Sequence, residues 1–158
     1  KLPNHLKEKM GSNAMRQEFV VPDDILDQAE AALQREAAGF ITWAKRYLDN
    51  LAKEVTQAKT LSGERHQHFD EINIIAHELR GQGGTFGYPL ITLFAKSLYD
   101  ATKTPRKEDD SALDIAKAHI DTMRAVIRED IEGDGGELGQ QLYKSLKAVI
   151  AKHEKRDS

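Results

Sequence analysis

The segment His77-Glu78-Leu79-Arg80-Gly81 carries the residue types in this sequence that are best suited to chemistry. A neutral imidazole nitrogen is a nucleophile near neutral pH, and an arginine three residues further along a helix lies beside it. Its guanidinium offers a forked set of donors that suits phosphate oxygens. Gly81 leaves no side chain to overhang the ring, although glycine inside a helix costs about 1 kcal/mol relative to alanine. The segment predicts an exposed, nucleophilic imidazole with a cation beside it and open space above it.

The neighbouring apolar residues predict that this segment lies on a helix with His77 facing solvent. On a wheel that advances roughly 100° per residue, Ile72, Ala76 and Leu79 cluster around one direction, which is that of the core. His77 then lies about 140° from Ile72, and Gly84 about 120° from it if the helix continues that far. We therefore expect the imidazole to be exposed beside an arginine and two glycines.

Apolar residues recur at steps of three and four along most of the chain, which predicts helices and almost no strand. Gly39 lies inside the first stripe and leaves open whether the first helix is continuous, and Ser111 is the predicted cap of the fourth. The short connections between helices favour antiparallel neighbours. The predicted fold is all-α, an antiparallel up-down four-helix bundle at about 66–153 with a long additional N-terminal helix packed against it. The predicted helices are 23–58, 66–83, 88–103, 111–131 and 137–153.

Composition restricts the function classes. The chain has 158 residues, 39% hydrophobic and 31% charged, which fits one folded domain with a buried core. It has no cysteine, which excludes disulfides and thiolate zinc sites. A formal charge of -3 argues against a nucleic-acid partner. The sequence contains neither a membrane-spanning apolar run nor a secretory leader, so we expect a cytoplasmic protein that does not bind membranes.

The first residues of the chain are interpreted as foreign to the native protein. Gly11-Ser12-Asn13-Ala14 directly before Met15 is typical of the scar left by a cleaved expression tag. We assign residues 1–14 to the tag or vector and 15–158 to a single helical domain.

The motif His-Glu-Leu-Arg-Gly at 77–81, with Gly87 ten residues after the histidine, resembles the histidine-phosphotransfer (HPt) family. The pattern of that family is His-x-Leu-Lys/Arg-Gly, followed by five residues and a second glycine. The resemblance covers the motif itself. It also extends over about 66–153 in the number and spacing of the helices. Arg80 stands where lysine is commoner, and Gly83-Gly84 replaces the usual pair of Ser or Ala.

The resemblance implies a phosphocarrier of a bacterial two-component phosphorelay. His77 is then the phospho-acceptor, Arg80 neutralises the phosphate, and Gly81 and Gly84 give steric clearance for docking. The implied partners are response-regulator receiver domains and a hybrid sensor kinase, and the carrier itself is a monomer. The family has no ATP site, so the chain is not expected to be an enzyme, and it needs no cofactor or metal because the divalent metal belongs to the receiver.

Other interpretations of these residues are weaker. The metalloprotease signature His-Glu-x-x-His fails because Gly81 takes the place of the second histidine. The alternative function is a helical interaction or scaffold module in which His77 is never phosphorylated. The remaining histidines are interpreted as solvated surface residues: His66, His68, His119 and His153. Several aromatic residues are expected to pack rather than bind: Phe40, Trp43, Tyr47, Phe94 and Tyr99. A basic rim that meets an acidic receiver is proposed from Lys45, Arg46, Lys96, Lys103 and Arg106.

Overall fold

The structure is a computed structural model that describes residues 22–156. The interpretation of residues 1–14 as a tag lies outside the described residues. No β-strand occurs between residues 22 and 156, so the all-α prediction is confirmed. Short turns of 3-10 helix lie at Ser62–Glu64 and Gly84–Phe86. The helices are α1 (Asp23–Thr60), α2 (Arg65–Gln82), α3 (Pro89–Thr102), α4 (Asp110–Arg128) and α5 (Gly136–Arg156).

The predicted helices are confirmed, with small differences at their ends. α1 continues through Gly39, and Pro89 occupies the first turn of α3 as expected. The predicted cap of α4 is wrong, because Asp109 rather than Ser111 caps it by accepting a hydrogen bond from the Ala112 amide at 2.8 Å.

The largest difference in the first four helices is at the end of α4, which was predicted at 131 and lies at Arg128. Asp130 adopts a left-handed conformation with φ 50°. The Ile131 amide bonds the Val126 carbonyl at 2.9 Å, and the Asp130 amide bonds the Ile127 carbonyl at 3.1 Å. These bonds form a Schellman motif, which ends the helix with an aspartate where glycine is usual.

The described residues fall into two compact units that divide between Glu36 and Ala37. In the first unit, the described part of α1 exposes Ile25, Leu26 and Leu33. The second unit contains the rest of α1 and helices α2 to α5, and it holds the hydrophobic core and the motif at 77–81.

The core of the second unit receives side chains from every one of its helices. Helices that are consecutive along the chain contact one another: α2 with α3, α3 with α4, and α4 with α5. Burial removes apolar side chains from water, which is the main stabilising contribution of this core. The fully buried members include Leu48 and Leu51 of α1, Phe69, Ile72 and Leu79 of α2, Ile91 and Leu98 of α3, and Leu113 and Met123 of α4; Leu146 of α5 is nearly so.

An aromatic cluster joins α1 to the segment after α2. Phe40 stacks on Phe86 and on Tyr88, with ring centroids 5.3 and 5.5 Å apart. Trp43 contacts both Phe40 and Tyr47. The prediction that Phe40, Trp43 and Tyr47 pack rather than form a binding platform fits these contacts.

Candidate functional site

The motif at 77–81 lies on α2 with its apolar residues turned into the core. Ile72, Ala76 and Leu79 are completely buried, and this fixes the rotation of the helix. His77, which lies between them in sequence but on another side of the helix, is exposed. The exposure predicted for His77 is therefore confirmed.

The His77 imidazole is available to a partner. Its ring lies 5.6 Å from the ring of Tyr99 on α3, centroid to centroid, at an angle of 45°. Within residues 22–156, no side chain or backbone group forms a hydrogen bond or ion pair with it. No protein hydrogen bond has to be broken in this part of the chain before a ring nitrogen can react.

Arg80 lies beside the same aromatic ring. Its guanidinium carbon is 5.5 Å from the centroid of Tyr99, a cation–π distance. No described carboxylate lies within ion-pair distance of this guanidinium. His77 and Arg80 thus share one neighbour, and the arginine keeps its donors for an incoming anion.

Tyr99 is the residue of this site that the sequence analysis missed, because it was interpreted as a packing residue. It is half-buried and contacts the core, but its ring also borders His77 and Arg80. Its carbonyl accepts a hydrogen bond at 3.0 Å from Asn73. Asn73 precedes His77 by one helical turn, so this bond attaches α3 to α2 close to the candidate site.

Asp100 of α3 lies within the electrostatic reach of Arg80 and is held by two lysines. The Lys96 ammonium bonds the Asp100 carboxylate at 2.8 Å, and Lys103 lies 3.7 Å from the same carboxylate. The pKa of Asp100 is below its usual range, chiefly because of the bond from Lys96, with the charges of Lys96, Lys103 and Arg80 adding to that effect. The field of Arg80 therefore reaches Asp100, although two lysines hold that carboxylate.

The glycines after His77 differ in their surroundings. A Cβ added to Gly81 would meet nothing within 4 Å beyond its own helix, so the space above this residue is open. A Cβ on Gly83 would lie 2.8 Å from both the Thr92 nitrogen and the Tyr88 carbonyl oxygen. A Cβ on Gly84 would only touch the Thr92 hydroxyl at 3.8 Å. Gly81 and Gly84 are thus open, whereas Gly83 is a point of close contact between α2 and α3.

The position predicted for Gly84 on the helical wheel needs correction. α2 ends at Gln82, so Gly84 begins the following 3-10 turn instead of continuing the side of the helix that carries His77. Its amide donates a hydrogen bond to the Thr92 hydroxyl at 2.8 Å, and that hydroxyl donates to the Arg80 carbonyl at 3.0 Å. Thr92 therefore caps the end of α2, which the wheel could not represent.

The predicted surface location is wrong for two of the other histidines. His119 is completely buried on α4. Its Nδ1 lies 2.7 Å from the Ile115 carbonyl, which can only accept, so Nδ1 carries the proton and Nε2 accepts from the Ser97 hydroxyl at 2.8 Å. Burial lowers the pKa of His119, and the charge of Lys147 lowers it further.

His68 is also largely buried. Its side chain is 13% exposed, and its Nδ1 lies 2.8 Å from a carboxylate oxygen of Glu54 on α1. His66, in contrast, is exposed as predicted, with 67% of its side chain accessible. His68 and Glu54 therefore form a polar contact between α1 and α2 rather than part of a surface.

The predicted basic rim is wrong for Arg106. Its side chain is 3% exposed and bonds both Asp70 and Glu108 at 2.9 Å. Lys96 and Lys103 are exposed, although both are paired with Asp100. Lys45 and Arg46 on α1 are exposed as well.

Neither a metal-binding cluster nor a membrane span is found in the described part of the chain. Between residues 22 and 156, no group of three or more His, Cys, Asp or Glu side chains is arranged to hold a metal ion. None of the described helices is both long and apolar enough to cross a membrane. Comparison of the chain with protein-family models, with curated proteins and with solved structures found no match.

Proposed function

We propose that this chain is a histidine-phosphotransfer protein of a two-component phosphorelay. The observation that carries the proposal is the exposure of the His77 ring together with its immediate surroundings. Its exposed ring has no hydrogen bond from residues 22–156, it lies with the Arg80 guanidinium against one tyrosine, and Gly81 leaves the space beside it open.

The proposed reaction is the transfer of a phosphoryl group between His77 and an aspartate of a receiver domain. One imidazole nitrogen, which we take to be Nε2, attacks the phosphorus of the aspartyl phosphate in line. The N–P bond forms while the P–O bond to the aspartate breaks, and the aspartate leaves as a carboxylate. Arg80 donates hydrogen bonds to the phosphoryl oxygens on His77, and the reverse reaction passes the group to another receiver.

The chain itself supplies positioning and a cation, whereas the receiver supplies the carboxylates and the divalent metal. We propose a phosphocarrier that has no ATP site and is not a kinase, working as a cytoplasmic monomer with receiver domains and a hybrid sensor kinase. For its architecture we propose that α2 to α5 form an antiparallel up-down four-helix bundle against α1. The contacts between consecutive helices and their short connections support this arrangement.

The test is to incubate the protein with a panel of phosphorylated receiver domains and to follow the transfer of label. We expect an alkali-stable, acid-labile phosphoryl group on wild type and none on His77→Gln. His66→Gln is the matched control, because His66 is an exposed histidine on the same helix. Both variants should melt close to wild type, since neither residue belongs to the core.

The result separates this proposal from the scaffold alternative. Acid-labile label that persists on His77→Gln would remove His77 as the acceptor. A wild-type protein that binds receivers but takes no phosphoryl group from any of them would favour a helical interaction module instead.

A further inference from the structure

Tyr99 brings together the two residues that the proposed function requires. Its ring is 5.6 Å from the His77 ring and 5.5 Å from the Arg80 guanidinium carbon. His77 and Arg80 are three residues apart on α2, so their side chains lie next to one another on the helix. A single aromatic ring from α3 therefore restricts both side chains at once.

The backbone around Tyr99 is fixed against α2. The Asn73 amide donates hydrogen bonds to the Tyr99 carbonyl at 3.0 Å and to the Thr102 hydroxyl at 3.1 Å. Thr102 is buried and bonds the Leu98 carbonyl in turn. These bonds hold α3 in register with the turn of α2 that carries His77.

The charged residues near Tyr99 do not draw the Arg80 guanidinium away from the Tyr99 ring. Asp100, the carboxylate that the field of Arg80 reaches, is bonded by Lys96 at 2.8 Å and approached by Lys103 at 3.7 Å. An arginine paired with that aspartate would have to give up the pairing before it could bind a phosphoryl group. With Asp100 occupied by lysines, Arg80 keeps a weak, easily exchanged contact with an aromatic face.

We propose that Tyr99 is a positioning residue for phosphoryl transfer, whose ring orients the His77 imidazole and holds Arg80 next to it until the phosphoryl group arrives. This inference rests on the proposed function and adds a residue to it. Before transfer, the guanidinium lies on the Tyr99 ring. Once His77 carries the phosphoryl group, the guanidinium leaves the ring for the phosphoryl oxygens, where charge-assisted hydrogen bonds are stronger. The aromatic face is the required feature, and the phenolic hydroxyl is not.

The test compares Tyr99→Leu, which removes the ring, with Tyr99→Phe, which keeps it. The contact with Arg80 is given up during transfer, so the expected effect on the rate comes from the contact with His77, which persists. Losing one aromatic contact of this kind at an exposed site corresponds to a change of about two- to fivefold in rate. We expect Tyr99→Leu to lower the first-order rate constant of transfer from a saturating phosphorylated receiver by that factor, with little change in the receiver concentration that gives half of this rate. Tyr99→Phe should transfer like wild type. Tyr143→Leu is the matched control, because Tyr143 on α5 has a similar contact, with the Lys147 ammonium 5.4 Å from its ring.

A second measurement needs no phosphorylation. The ring protons of His77 should show a ring-current shift in the proton NMR spectrum of wild type and of Tyr99→Phe, and should lose it in Tyr99→Leu. Melting curves establish that each variant is folded. If Tyr99→Leu proves unfolded, this NMR comparison is made on Tyr99→Met, a flexible side chain without a ring.

The outcomes distinguish this inference from the proposed function. Wild type that accepts no phosphoryl group overturns both. Wild type that is phosphorylated together with a folded Tyr99→Leu or Tyr99→Met of unchanged transfer rate constant overturns only the role of Tyr99. A Tyr99→Phe variant that loses as much rate as the ringless variant also overturns it, because the hydroxyl would then be the active group.

Discussion

Replacing Gly83 with alanine is expected to destabilise the protein, whereas the same change at Gly81 is expected to stabilise it. A methyl group on Gly83 would lie 2.8 Å from two backbone atoms, the nitrogen of Thr92 and the carbonyl oxygen of Tyr88. Backbone atoms cannot rotate out of the way as a flexible side chain can, so α3 has to move. Such overpacking costs about 1–3 kcal/mol.

The helical preference of alanine offsets part of this cost. Gly83 has helical dihedral angles, with φ -56° and ψ -51°, and alanine is favoured over glycine in a helix by up to about 1 kcal/mol. We expect Gly83→Ala to lower the free energy of unfolding by about 1–2 kcal/mol. At Gly81, where a methyl group meets nothing within 4 Å, only the gain remains, up to about 1 kcal/mol.

The assay is thermal and urea unfolding followed by far-UV circular dichroism. At about 4 °C per kcal/mol, Gly81→Ala should melt at or above wild type and Gly83→Ala several degrees below it. Gly84→Ala is the control, because its methyl group would meet the Thr92 hydroxyl at an ordinary 3.8 Å. A Gly83→Ala variant that melts at or above wild type would refute the reasoning, since α2 and α3 would then be farther apart than the structure has them.

Three further predictions concern charges. Arg80→Ala should shorten the lifetime of phospho-His77, measured by the decay of label, with little change in melting temperature; equal lifetimes would remove its role. Lys96→Met removes the closer of the two lysines from Asp100 and should slow transfer by making that carboxylate more available to Arg80, and Lys96→Met/Asp100→Asn should restore the rate; an unrestored double variant would indicate that Lys96 contacts the receiver instead. The pKa of His119 is lowered in the folded state, so the folded protein binds fewer protons than the unfolded chain, and its stability should fall as pH drops below about 6.5, by up to about 1.4 kcal/mol per pH unit. His119→Gln should remove that contribution in urea unfolding at two pH values, and an unchanged pH dependence would contradict the assignment.

The helices could be predicted from the sequence because their apolar residues repeat at helical spacing. The end of α4 could not be predicted in the same way. Asp130 is left-handed there, and its carboxylate accepts a hydrogen bond at 2.7 Å from the hydroxyl of Tyr88, which is far away in sequence. The apolar stripe itself continues to Ile131, which is buried as the first residue after the turn. The apolar periodicity predicts the burial of Ile131, but it does not predict the change of backbone direction before that residue.

The exposure of His77 followed from the wheel because that argument needs only one helix. Predicting the neighbours of His77 requires the packing of two helices, since Tyr99 contacts it only because α3 packs on α2.

The burial of His119 had a signal in the local sequence. His119 lies three residues after Ala116 and four before Met123, both in the apolar stripe of α4, so its position already pointed to the core. Its half-buried hydrogen-bond partner, Ser97, comes from another helix and could not be identified in this way.

Gly83 and Gly81 differ in whether packing explains the absence of a side chain. Close packing accounts for Gly83, because any side chain there would collide with α3. It does not account for Gly81, which is exposed, lies inside α2 and has open space where a side chain would be. Folding alone would favour alanine at that position. Packing within this unit thus gives no reason for glycine at 81, and the proposed phosphoryl transfer offers one, because a partner would have to approach the His77 ring closely.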